Sequence, residues 1–277
     1  MLLIAMGHPS WIERILLLLA LGCSIALFWR RFGRVIETIR RARPTPDFEL
    51  QYGAAYYRFD AIQGVLSTPC VALSSADPCS TDLSRPGFLQ QGNTLFALRD
   101  LVPVTANPPV FQYYGLATPF RLYNLTARMD AALFSPWHVI VDGEYVINTA
   151  FDAGRIAAKN PVNNLGPSPD GGITPGSYDG GNVAWQTRLT FGYPRLTNRW
   201  DWNVSAAYRY VESDSLVDAF TDSDFHLGGT NAKGYVIGAG IGLARNVNLY
   251  ARWLSASEIT GAPYSVDVVL VDLNAQF

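Results

Sequence analysis

The chain has 277 residues, of which 49% are hydrophobic and 13% aromatic, and its 21 basic and 23 acidic residues give a net charge of −2. Residues 1–43 carry seven arginines against two glutamates, whereas the rest of the chain is acidic. An acidic body argues against nucleic acid as a partner, and the length is enough for one large domain or two small ones.

The first predicted element is an N-terminal hydrophobic helix. Residues 15–29 (ILLLLALGCSIALFW) carry no charge, and with Trp11 and Ile12 they approach the roughly 20 residues that span a bilayer. The arginines follow this run, so it is a poor secretory signal, and by itself it would suggest the inner membrane. We assign residues 1–47 to the helix and its basic flank; a true signal, an anchor and a chimeric or mis-called start all stay open.

The loop predicted for residues 61–117 contains two cysteines. Cys70 and Cys79 lie in the stretch TPCVALSSADPCS. A disulfide between them requires an oxidising compartment, and two unpaired thiols fit the sequence about as well. Metal binding is not expected, because no His or second Cys pair lies nearby in the sequence.

From residue 48 onward apolar and polar residues alternate, which predicts β-strands with one apolar and one polar face. In the run LTARMD, for example, Leu125, Ala127 and Met129 share one face. The pattern predicts eight strands, at residues 48–59, 119–134, 137–148, 182–193, 198–211, 232–244, 246–257 and 264–277. Residues 94–99 and 110–116 would add two more.

The predicted connections alternate between short and long. Tight turns are expected at 135–136, at 194–197 and around Arg245, and long loops at 61–117, 149–181 and 213–231. Outer-membrane barrels have short turns at one end and long loops at the other, whereas a soluble β-sandwich has no reason for this regularity. We therefore predict an all-β fold over residues 48–277, a transmembrane antiparallel β-barrel of about eight or more strands or the C-terminal part of a larger one.

Charged residues fall on the polar face of the predicted strands, and the opposite face of the mid-strand regions carries none. Because a basic residue facing lipid at mid-bilayer costs about 2–4 kcal/mol, the charged face is predicted to line the interior. Charged rings select ions and solutes in an open channel, but in a small barrel the same side chains fill a plugged interior. Both interpretations stay open for the pore-lining candidates Arg128, Asp130, Asp142, Glu144, Arg188, Asp201, Arg209 and Arg252.

The remaining motifs do not indicate an enzyme or a cofactor. Asp218, Asp222 and Asp224 lack the spacing of an EF-hand, so a solvated acidic loop is expected rather than a calcium site. The GAGIG run at 238–242 is not followed by a helix pattern, so it does not predict a nucleotide site. No nucleophile elbow, catalytic triad or metal-ligand spacing is found.

The last predicted strand places Val269, Val271, Leu273 and Ala275 on the same face as the terminal residue, Phe277. A final amphipathic strand that ends in Phe resembles the signal read by the outer-membrane assembly machinery. This machinery and the lipid bilayer are therefore the expected partners of the chain.

Three stretches of the sequence resemble the C-terminal region of a bacterial putative-porin family: DWNVSAAYRYVESDSLVDAF, TDSDFHLGGTNAKGYVIG and LYARWLSASEITGAPYSVDVVLVDLNAQF. The resemblance runs from about Asn93 to Phe277 and implies an outer-membrane barrel. The expected function is passive diffusion of small hydrophilic solutes or ions. The alternative is a non-conducting structural or adhesion-type barrel whose loops bind partners, and a homo-oligomer stays open in both.

Overall fold

The computed structural model describes residues 34–65, 92–100 and 111–276. These ranges form an all-β structure with one short helix, α1 (Ala153–Ala157), and two short 3-10 turns. No helix among them is both long and apolar enough to cross a membrane. The strands are β1 (Arg34–Thr45), β2 (Phe48–Phe59), β3 (Leu95–Asp100), β4 (Phe111–Leu116), β5 (Phe120–Phe134), β6 (Trp137–Asn148), β7 (Val183–Gly192), β8 (Trp202–Val211), β9 (Ala232–Ala244), β10 (Val247–Glu258) and β11 (Ser265–Ala275).

Nine of these strands form a single antiparallel sheet in the order β1-β2-β5-β6-β7-β8-β9-β10-β11. The strands β3 and β4 form a separate two-stranded sheet within the connection between β2 and β5. In the part of the chain that the structure describes, β1 and β11 are the two edges and do not pair with each other. The structure therefore confirms the all-β antiparallel fold and shows an open sheet rather than a closed barrel.

The eight predicted strands are all present, and the two additional segments are β3 and β4. Most of their boundaries agree with the prediction to within two residues, but β8 begins at Trp202 instead of residue 198. The backbone turns at Trp200, which has a φ of 71°. The Asp201 carboxylate then accepts hydrogen bonds from the backbone N–H groups of Thr197 and Asn198, at 3.0 and 2.7 Å. Asp201 is therefore a turn residue and not a strand residue.

Strand β1 is an element that the sequence does not predict. Residues 34–45 belong to the predicted basic flank, yet they pair with β2 from Arg34–Arg58 to Thr45–Phe48. The adjacent arginines Arg40 and Arg41 interrupt the alternation that would have marked a strand. The predicted helix at residues 15–29, the Cys70–Cys79 pair and Phe277 lie outside the described residues, and the boundary between residues 47 and 48 stays a prediction.

The two faces of the nine-stranded sheet differ chemically. On one of them, the apolar face, the register aligns Met129, Val141 and Leu189 across β5, β6 and β7. Its large side chains are exposed, with Leu189 at 51% and Val269 at 70%. The opposite face, the polar face, carries most of the charged strand residues. An apolar surface spread over a whole sheet indicates contact with a partner or with lipid.

Two buried apolar clusters lie on the polar face, beneath the long loops. The first is formed by β4–β8 and the loop before β9: Leu116, Phe120, Leu122, Val146, Ala184, Val211 and Val217. The second is formed by β8–β10 and the loop before β9: Ala207, Phe225, Ala232, Val236, Leu254 and Ala256. The core of the molecule therefore lies between the sheet and its loops.

Replacing a side chain of the first cluster tests this location of the core. Phe120 is fully buried, so Phe120→Ala should lower the free energy of unfolding by about 3–5 kcal/mol through lost burial and a cavity. The matched control is Ile173→Ala in a loop, where the side chain is 86% exposed and little change is expected. Urea denaturation of the refolded protein measures both, and equal effects would contradict this packing.

Candidate functional site on the polar face

The strand register collects seven of the eight predicted pore-lining residues on the polar face. Arg128, Asp142 and Arg188 are direct cross-strand neighbours on β5, β6 and β7. The next row towards the long loops contains Glu144 and Arg209, and the next row towards the short turns contains Asp130 and Arg252. The eighth residue, Asp201, lies apart from them in the β7–β8 connection.

Most of these charges are paired. Arg128 Nη1 lies 3.0 Å from Asp142 Oδ1, and His138 Nδ1 lies 2.6 Å from Asp130 Oδ1. Arg188 stands beside Asp142 in register, but it makes no ion pair with any residue that the structure describes. The row Arg128–Asp142–Arg188 therefore presents one cation in excess.

Glu144 is held in a different way. One carboxylate oxygen accepts a hydrogen bond of 2.6 Å from the side-chain amide of Asn124, and the other accepts one of 2.7 Å from Gln186. Both donors are neutral, and within the described ranges no cationic side chain forms an ion pair with Glu144. The carboxylate is therefore fixed in position without an ion-pair partner among the described residues; the nearby Arg209 reaches it only through Gln186, to which its Nε donates at 3.2 Å.

The loop between β8 and β9 folds back over the polar face; we call residues 212–231 the folded loop. Asp222 Oδ2 accepts a 2.9 Å hydrogen bond from Arg209 Nη1, and Asp224 Oδ2 lies 3.9 Å from Arg252 Nη2. The prediction of a solvated acidic loop is therefore wrong, because two wall arginines pair with its aspartates.

Aromatic side chains of the folded loop contact residues on widely separated strands of the sheet. The Arg209 guanidinium lies 4.7 Å from the ring centroid of Phe225, which is buried. The ring of Phe220 lies 5.5 Å from that of Phe59 on β2, although β2 is four positions away from β8 in the sheet. The folded loop therefore spans the polar face from the second cluster to the N-terminal strands.

The ion pair between Asp222 and Arg209 holds the folded loop against the sheet. Burial of Asp222 opposes its ionisation, but hydrogen bonds from Arg209 and the Asp224 backbone N–H, together with the positive charges of Arg209 and Arg252, outweigh that effect and hold the pKa of Asp222 below its ordinary value. Asp222 therefore stays ionised near neutral pH and remains a partner for Arg209.

A buried polar cluster anchors the base of the folded loop. Asp214 is fully buried and accepts hydrogen bonds from the Thr94 backbone N–H at 2.9 Å and from the Tyr178 hydroxyl at 2.8 Å. Asn93 donates to the carbonyl oxygens of Ser213 and Leu216, at 2.7 and 2.8 Å. The cluster joins three connections that lie far apart in the sequence, so no local motif could have indicated it.

Two cavities lie along the polar face. The loop cavity, of about 230 Å³, lies between β6–β8 and the folded loop. The wall cavity, of about 360 Å³, lies nearer the middle of the sheet and is lined by Arg128, Asp142 and Arg188. Glu144 and Gln186 line both. These two residues therefore lie between the two cavities.

The described residues offer no metal site, because no three His, Cys, Asp or Glu side chains among them come together. The arrangement can instead orient charged or dipolar solutes, since fixed charges of both signs line the cavities.

Comparison with known proteins gives one match. A family model described as "Putative porin" matches residues 40–277. No curated protein and no solved structure matches the chain.

The buried Asp218 of the folded loop predicts a pH dependence of stability. Burial, together with the nearby charge of Asp214, raises the pKa of Asp218 from its ordinary 3.8 to about 7. Between these two values the folded state keeps a proton that the unfolded state has released, so stability falls as the pH rises from about 4 to about 7. Asp218→Asn should reduce this fall, which urea denaturation at pH 5 and pH 8 measures.

The matched control for that experiment is Asp170→Asn in an exposed loop. Hydrogen bonds from Thr174 and Ser168 lower the pKa of Asp170 to about 2, so this residue is ionised in both states throughout the tested range. The control should keep the wild-type difference between the two pH values. If Asp218→Asn also kept it, the assignment of the titration to Asp218 would be wrong.

Proposed function

Because this chain belongs to the putative-porin family, we propose that it forms the wall of an outer-membrane pore for passive diffusion of small hydrophilic solutes or ions. Family membership supports a porin-like, non-enzymatic role. The observation that carries the finer proposal is the sheet itself, with an exposed apolar face and a charged opposite face. A β-sheet that separates lipid from a polar interior requires this division.

The apolar face has the chemistry of a lipid-facing wall. From β5 to β8 its strand residues carry no charge apart from Arg121 at the loop end, while Arg58, Lys233 and Asp267 lie near the loop ends of β2, β9 and β11. A charge near the interface costs far less than one at the bilayer centre. The exception is Arg40 on the edge strand β1, which lies on this face in mid-strand, in register with Tyr52 and Ala127.

Aromatic residues lie at both ends of this face. Near the loops, Trp185 lies 6.1 Å from Tyr210, and near the short turns, Trp137 lies 5.8 Å from Trp202. On β6, Tyr145 and Trp137 are eight residues apart, or about 26 Å along a strand. At the strand tilt of about 35–45° found in outer-membrane barrels, this span corresponds to about 20 Å across the membrane, somewhat less than the ~25 Å apolar band that aromatic girdles flank there.

The folded loop is the observation that favours the alternative, a non-conducting structural or adhesion-type barrel. Phe225 packs with Leu254 and Val236 and covers the polar face of β8–β10. This contact fills part of the interior and would narrow a pore. The polar face of β5–β7, which contains the wall cavity, is the part that would conduct.

Planar-bilayer recording separates the two functions. The refolded full chain should give discrete conductance steps, and Arg188→Glu should shift the ion preference towards cations because it reverses a cation of the polar face that forms no ion pair within the described ranges. The control Arg155→Glu changes a side chain in α1 that is 85% exposed, and it should have a smaller effect. Folded protein without conductance steps would support the non-conducting alternative.

Two adjacent substitutions on β7 test which face meets lipid. Leu189→Arg places a cation in the middle of the apolar face and should lower the free energy of unfolding in lipid by about 2–4 kcal/mol. Thr190→Arg, one residue later, points to the polar face and should cost much less. Equilibrium unfolding in liposomes measures both, and the reverse ranking would show that the faces are assigned the wrong way round.

A further inference from the structure

We propose that the loop cavity binds small organic cations, with Glu144 as the charge that attracts them. A role of this cavity in transport rests on the proposed pore function. Binding of a cation to the cavity does not require conduction.

The charge balance favours a cation over an anion. Among the cavity residues in the described ranges, Arg209 is the one cation, and Glu144 and Asp222 are the anions. Arg209 is already held by Asp222, and its guanidinium covers the Phe225 ring. An anionic ligand would therefore find no free partner, whereas a ligand cation would meet the carboxylate of Glu144, which has no ion-pair partner among the described residues.

Glu144 is already positioned for this role. Asn124 and Gln186 hold its carboxylate from two sides, so little side-chain entropy is lost when a ligand binds. Glu144 also lines the wall cavity. A cation that moves along the polar face would therefore meet this carboxylate before entering the loop cavity.

The rest of the loop-cavity lining is mostly apolar. The apolar part consists of wall and folded-loop side chains, namely Val146, Ala184, Val211, Leu216, Phe220 and Phe225. A ligand with a short hydrocarbon body opposite its ammonium group fits this division. The volume of about 230 Å³ is below the usual range for drug-sized ligands, so the body must be small.

The experiment is titration calorimetry of the folded full chain in detergent micelles, with empty micelles as the blank. The probe is 2-phenylethylammonium, and its comparators are the neutral 2-phenylethanol and the anionic 3-phenylpropanoate. The ammonium should bind most tightly, and Glu144→Gln should weaken its binding about tenfold or more, as expected for loss of a charge-assisted hydrogen bond. Equal binding by Glu144→Gln, or equally tight binding of the anion, would overturn the proposal.

Two further variants serve as a control for the loss of a carboxylate and as a test of the apolar lining. Asp170→Asn removes a carboxylate from an exposed loop outside the cavity and should bind as the wild type does. Phe220→Ala shortens a side chain that is 71% exposed, so it should fold even if Glu144→Gln does not. It should weaken 2-phenylethylammonium but not methylammonium, and unchanged binding of the larger ion would overturn the proposal.

The two hypotheses fail separately. A protein that conducts ions but does not discriminate between the three probes contradicts the cation site and leaves the pore intact. A protein that binds the ammonium selectively in micelles but gives no conductance contradicts the pore and supports the cation site.

Discussion

The strand register is the constraint on which the rest of the structure depends. Side chains alternate between the faces of a strand, so a slip of one residue would move every charge to the opposite face. Arg128, Asp142 and Arg188 lie side by side because β5, β6 and β7 pair in one register. The same pairing places Met129, Val141 and Leu189 together on the apolar face. The ion pairs, the cavities and the exposed apolar surface all follow from this one alignment.

The polar face is open along β5–β7 and covered along β8–β10, because the folded loop packs on the latter strands. Towards β5–β7 the face keeps its charges and opens into the wall cavity. Towards β8–β10 the register brings Ala207, Val236 and Leu254 into line, and Phe225 covers them. The buried Asp214 fixes the base of the loop through Thr94 and Tyr178. The strands thus form a continuous polar face, and the buried polar cluster around Asp214 holds the loop that covers part of it.

Local alternation was sufficient to predict the eight strands, the polar face and seven of its eight charged candidates, because strand periodicity is a short-range signal. It failed for Asp201, which lies before the start of β8 and next to Trp200, a residue with positive φ. There the Asp201 side chain accepts hydrogen bonds from the backbone of the turn instead of the residue pairing in the sheet. It also failed for the folded loop. Its partners, Arg209, Arg252 and Asn93, come from separate elements, and only the three-dimensional arrangement brings them within hydrogen-bond or ion-pair distance of the loop.

The number of strands in the sheet has a consequence for closure. Every neighbouring pair from β1 to β11 is antiparallel, and the sheet has nine positions, so its two edge strands run in the same direction. A direct seam between β1 and β11 would therefore be parallel. A wall that is antiparallel throughout has an even number of strands. Any segment that completes such a wall must add an odd number of strands, and its outermost strands must be antiparallel to β1 and β11.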